Sequence, residues 1–100
     1  MPISTKMIML AYNEAVDDEV MDLLEECGIR SYTKITKAFG KGALSGTHLG
    51  NDIWPGFNNI LHIACSGEDA KVLTEKVRSL RETLGKEGVK AFVMPIEEIT

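Results

Sequence analysis

The period of the apolar positions switches between two and about 3.6 along this chain, and each switch marks an element. The run KMIMLAY, residues 6–12, has strand length and ends at Asn13. From Glu14 the period lengthens. Val16, Val20, Leu23, Leu24 and Cys27 fall at i, i+4, i+7, i+8 and i+11, which is one face of a helix. Asn13 is placed to cap that helix, Glu14, Asp17 and Asp18 suit its positive end, and Gly28 can stop it. SYTKITKAF, residues 31–39, alternates again with β-branched Thr and Ile until Gly40 and Gly42. NILHIAC, residues 59–65, is another strand, and Ser66 with Asp69 three positions on opens a second helix in the manner of a capping box. Ala70, Leu73, Val77, Leu80 and Leu84 form its apolar stripe, with Gly85 as the stop. VKAFVMPIEEI, residues 89–99, supplies a last strand, in which Pro95 marks either a sheet edge or the end of pairing. The order βαββαβ predicts an α+β, ferredoxin-like fold: a four-stranded antiparallel sheet with two helices on one face. Residues 1–100 read as a single domain.

Such a sheet, if alone, exposes one face to water and should alternate apolar with polar residues. These strands do not alternate. Met7, Met9 and Ala11 oppose Ile8, Leu10 and Tyr12; Ile60, His62 and Ala64 oppose Leu61, Ile63 and Cys65; Lys90, Phe92 and Met94 oppose Val89, Ala91 and Val93. An uncovered apolar face of that size exceeds what soluble monomers usually tolerate, so another copy of the chain is expected to cover it.

Composition narrows the class. A 44% hydrophobic, 26% charged chain is ordinary for a globular protein, and its net charge of −4 argues against binding nucleic acid or an anionic membrane. No apolar stretch approaches the ~20 residues that span a bilayer, and the N-terminal residues lack a signal-peptide pattern. Cys27 and Cys65 stand without CxxC spacing on core-facing positions, as buried thiols of a cytoplasmic protein would. Met1, Met7, Met9, Met21 and Met94 fall at core spacing and make no metal-binding tract. His62 reads as a hydrogen-bonded histidine inside the oligomer.

Between the second and third strands, where two to five residues could close a hairpin, lies GTHLGNDIWPGFNN, residues 46–59. It holds the only Trp, one of two His and three of nine Gly, too much specialised chemistry for a plain turn. Residues 40–57 are too long for a hairpin turn and too apolar, at Leu44, Leu49, Ile53 and Trp54, for a free linker. Trp54 reads as a hydrophobic peg into a neighbouring subunit or as a ring that stacks on a ligand or partner. His48 and Asp52, four apart, could share a metal site.

Two segments carry a family resemblance. GIRSYTKITKAFGKG, residues 28–42, and GVKAFVMPIEEI, residues 88–99, resemble the nitrogen regulatory P-II signalling family, with its GI…T…T…GFGR second strand and its GDGKIFV-P-E entry to the fourth. The resemblance implies a compact homotrimer with inward-facing sheets. It implies no tightly bound cofactor and a small effector, an adenine nucleotide or another anion, in clefts between subunits. Thr33, Gly40, Lys41, Gly88 and Lys90 are the positions it carries over as ligand contacts. Residues 40–57 correspond to the family's T-loop, which engages a target protein such as a transporter or an enzyme. The departures are definite: the loop is shorter and has no tyrosine, Lys41 stands where the family has Arg, and the phosphate-holding GDGK turn is reduced to Gly88-Val89-Lys90.

The expected function is a cytoplasmic, non-enzymatic regulator that binds an effector between subunits and acts on a target through the 40–57 loop. The alternative is a metal-responsive trimer, similar to the divalent-cation-tolerance proteins, that uses His48 and Asp52. An enzyme finds no support, since no nucleophile–base or carboxylate pair is placed by a motif, and GxGxxG and P-loop patterns are lacking.

Overall fold

The computed structural model describes residues 5–39, 57–84 and 88–100. Strand β1 (Thr5–Asn13) leads through a 3-10 turn (Glu14–Val16) into helix α1 (Asp17–Glu26); β2 (Thr33–Ala38), β3 (Asn58–Ser66), α2 (Gly67–Leu84) and β4 (Val89–Pro95) follow. The sheet order is β2-β3-β1-β4, with β1 paired antiparallel to β3 and β4 and β2 paired antiparallel to β3. This is the ferredoxin-like arrangement that the element order predicts.

Three helix ends follow the sequence, and the Gly85 stop expected for the fourth lies outside the described residues. The Asn13 side chain accepts a hydrogen bond from the Ala15 N–H at 2.8 Å, so it caps a 3-10 turn that precedes the α-helix proper. At the other end the Gly28 N–H reaches the Glu25 carbonyl (3.0 Å) and the Ile29 N–H reaches the Leu24 carbonyl (2.9 Å). That pair of bonds is a Schellman closure, and Gly28 takes the left-handed backbone it needs, with φ of 73°. The Ser66 hydroxyl accepts from the Asp69 N–H at 3.1 Å and starts α2.

One face of the sheet meets the helices in a core of Ile8, Leu10, Tyr12, Leu61, Ile63 and Val89 with Val20, Leu24, Leu73 and Val77. The two faces separate as the alternation requires, because Ile8 lies opposite Ile63 and Val93, and Leu10 opposite Leu61 and Ala91. Val93 departs from its expected burial: it shares the core face but is 46% exposed, since β4 is an edge strand. Met7, Met9 and Met94 also leave the expected core and line the opposite face, with Met94 the most exposed of them. The two cysteines are half-buried rather than buried.

Among the described residues no helix covers that other face. Its rows read Ala64, Met7, Met94; then Thr33, His62, Met9, Phe92; then Ile35, Ile60, Ala11, Lys90. Ile35 and Phe92 are 46% and 45% exposed, which a water-facing sheet surface would not select. In these rows Lys90 is the sole permanently charged residue, and none is acidic.

Strand β2 is irregular near its end. Ile35 pairs with Ile60 but Ala38 with Asn58, so one extra residue bulges out of β2. Lys37 sits in that bulge with φ of 60°, a conformation that costs a non-glycine residue about 1–2 kcal/mol. The bulge turns the chain just before residue 40.

Candidate functional site

Three of the residues carried over as ligand contacts lie in the described part of the chain. Thr33 opens β2 on the uncovered face, exposed and opposite His62. Lys90 projects from β4 on the same face, exposed and opposite Ala11. Gly88 is buried just before β4, and its carbonyl takes the Asn13 N–H at 3.4 Å, a long contact that ties the turn to the end of β1. Gly40, Lys41, His48, Asp52 and Trp54 lie outside the described residues.

The sheet order decides what Thr33 and Lys90 can do together. They occupy opposite edges, β2 and β4, three strand spacings apart. At roughly 4.8 Å per spacing this is about 14 Å, too far for both to touch one small anion within a subunit. Each lies at an edge of the open face, where a neighbouring copy could bring the complementary edge.

On the helix-covered side the structure assembles a polar hub that the sequence pattern does not disclose. Asp17 Oδ1 accepts from the Tyr12 hydroxyl at 2.6 Å and from Asn59 Nδ2 at 3.2 Å, and pairs with Lys34 Nζ at 2.7 Å. The hub joins the start of α1 to β1, β2 and β3, and so to both strands that flank residues 40–56. Burial raises the Asp17 pKa, but the hydrogen bonds from Lys34, Tyr12 and Asn59 outweigh it and the net shift is downward. Tyr12 moves the other way: burial first, then its bond to the Asp17 carboxylate, hold the phenol protonated far above its usual range. Sequence spacing could hint only at Tyr12 with Asp17, five apart, since Asn59 lies 42 residues away. Close by, the Glu14 N–H donates to the Phe57 carbonyl at 2.9 Å, and the rings of Phe39 and Phe57 meet edge to face at 5.0 Å. An aromatic pair therefore flanks residues 40–56 on both sides.

Burial pushes the pKa values of both Cys27 and Cys65 up, which keeps them as thiols. Among the described residues no three His, Cys, Asp or Glu side chains cluster as a metal site, and no helix is long and apolar enough to cross a membrane.

Four antiparallel strands under two helices, with an apolar sheet face left open and candidate ligand groups at its edges, define the class: ferredoxin-like domains of the P-II kind. The chain belongs to the nitrogen regulatory protein P-II family, whose model matches residues 5–100. Among curated proteins, none matches by sequence. The fold is similar to that of CPII, a nitrogen regulatory PII-like protein from Thiomonas intermedia K12. The structure of CPII bound to ADP, AMP and acetate superposes with a TM-score of 0.74 at 21% identity, covering 98% of this chain and 91% of that one. CPII bound to ADP, AMP and bicarbonate gives 0.72 at 19% identity, with 97% and 94% covered. A PII-like signaling protein from Thermus thermophilus gives 0.67 at 20% identity, with 94% and 87% covered. The match is to the P-II family, which does not favour the divalent-cation-tolerance alternative.

Proposed function

We propose that the chain is a cytoplasmic, non-enzymatic regulator built as a homotrimer of single domains. It binds an adenine nucleotide, or another small anion such as bicarbonate, between subunits and acts on a target protein through residues 40–57. The observation that carries this reading is the open apolar sheet face with Thr33 at one edge and Lys90 at the other. Packing three such faces together removes the apolar surface from water and brings the β2 edge of one copy towards the β4 edge of the next. Thr33 from one subunit and Gly88 with Lys90 from its neighbour would then line one cleft, with Lys90 as a point charge on the anion. Gly40 and Lys41, just beyond β2, would extend the same cleft towards the loop, where Trp54, His48 and Asp52 contact the target. Binding of ADP, AMP and bicarbonate by CPII supports the choice of effector.

The reading predicts that purified protein scatters light as three subunits and that ADP or AMP, with or without bicarbonate, raises its melting temperature. A soluble monomer with no thermal response to any of these ligands would overturn it. A response to a divalent cation alone, lost in His48→Ala, would favour the metal-responsive alternative.

A further inference from the structure

Helix α1 breaks a local electrostatic rule. Six of its ten residues are acidic, none is basic, and its last turn holds Glu25 and Glu26 where the helix dipole favours cations. Among the described residues Asp17 is paired with Lys34 and Glu26 lies 3.6 Å from Lys76, whereas Asp22 and Glu25 have no ion pair. Those two unpaired carboxylates stand three positions apart on one side of α1, beside a cavity of about 340 Å³. It is lined by the buried or part-buried Met21, Leu24 and Ile29 and by the exposed Asp22, Glu25, Arg30 and Tyr32. The Schellman closure at Gly28 creates the space, because it swings the chain away from the helix before β2 begins.

We propose that this groove docks a peptide segment of a partner protein that presents Lys or Arg beside an apolar anchor. The volume is at the low end for a small-molecule pocket and admits one or two side chains. Met21 suits an anchor of variable shape, and Tyr32 offers a ring face to an aliphatic stem or a cation. The sign of the charge comes from the lining: two carboxylates and the negative end of the helix dipole outweigh the single Arg30. A cation there relieves a repulsion that the free protein carries, so the local cost in α1 becomes part of the affinity. The groove lies between α1 and residues 28–32, and none of the proposed effector contacts Thr33, Gly88 and Lys90 lines it.

The test uses the full chain and a short fluorescein-labelled peptide with a Leu-Leu anchor flanked by Lys and Arg. Two relatives accompany it, one with Glu for every cation and one with Ser for both leucines. The basic, anchored peptide should raise anisotropy saturably and shift the amide resonances of Met21, Leu24, Ile29 and Tyr32, while neither relative binds. Asp22→Lys with Glu25→Lys should weaken it by about tenfold or more and let the Glu peptide bind. The neutral pair Asp22→Asn with Glu25→Gln should give an intermediate loss. Reversing Glu75 and Glu82, exposed on α2, controls for overall charge and should leave binding within about twofold of wild type. Failure of the basic peptide to bind, an equal loss in the α2 control, or shifts that map to the sheet face would overturn the proposal. Subunit number and ADP affinity, measured on the same variants, should not change, which separates this outcome from any failure of the trimer reading.

Discussion

At the scale of single residues, Asp17 carries more of the structure than its half-buried position on a helix end suggests. Asp17→Ala leaves the Tyr12 hydroxyl and the Asn59 amide without their acceptor and should cost about 1–3 kcal/mol in urea unfolding. Its lowered pKa gives the pH dependence a sign. The folded state holds the carboxylate charged more strongly than the unfolded chain does, so Asp17 stabilises above its unfolded pKa of about 4. That contribution fades as pH falls through the lower folded value, so wild type and Asp17→Asn should converge in stability below about pH 4. Gly28→Ala tests a different cause. A Cβ there meets nothing within 4 Å, so its cost is the left-handed backbone alone, roughly 1 kcal/mol in the same assay. Gly28 is legible as a helix stop and Asn13 as a cap, because both signals are local. The Asp17 hub is not, because Lys34 and Asn59 reach it only after β2 and β3 have paired.

At the scale of elements, burial ranks the strands. Ile63, fully buried on β3, should lose about 2–5 kcal/mol on truncation to Ala, and Ile63→Asp should not accumulate as folded protein. Val93 has the same sequence signature but sits on edge strand β4, so Val93→Asp should stay folded, as circular dichroism would report. The alternation read from the sequence assigns each residue to a face, yet it cannot tell a central strand from an edge, and that difference separates these two residues. The bulge at Lys37 is equally hidden, since TKITKA alternates without a break and the extra residue shows only against β3. On the open face, Lys90→Ala should weaken binding of ADP by about 1.5–3 kcal/mol in calorimetry, the range for a charge-assisted contact, without altering subunit number. Unchanged affinity would mean that the shortened Gly88-Val89-Lys90 turn no longer holds the anion.

At the scale of the whole molecule, the open sheet face sets the expected assembly. Phe92→Asp places a charge on that face and should give folded monomers in light scattering, whereas Ile63→Asp on the core face should abolish folding. The two-faced strands make the expectation of an oligomer legible in the amino-acid pattern alone. The proposed approach of one subunit's β2 edge to another's β4 edge depends on the strand order, which that pattern does not contain. The order has one more consequence. Strands β2 and β3 are next-door neighbours, so residues 40–56 bridge a gap that a short turn could close. Doubling the length of such a bridge costs only about 0.6 kcal/mol of closure entropy. Insertions, deletions and wholesale rewriting at this point are thus nearly neutral for the sheet. Replacing residues 40–56 with a short Asn-Gly turn should leave the melting temperature and subunit number close to those of the intact chain. Under the proposed function, a lineage could exchange one target for another here without rebuilding the rest of the domain, because the architecture leaves this segment free to drift.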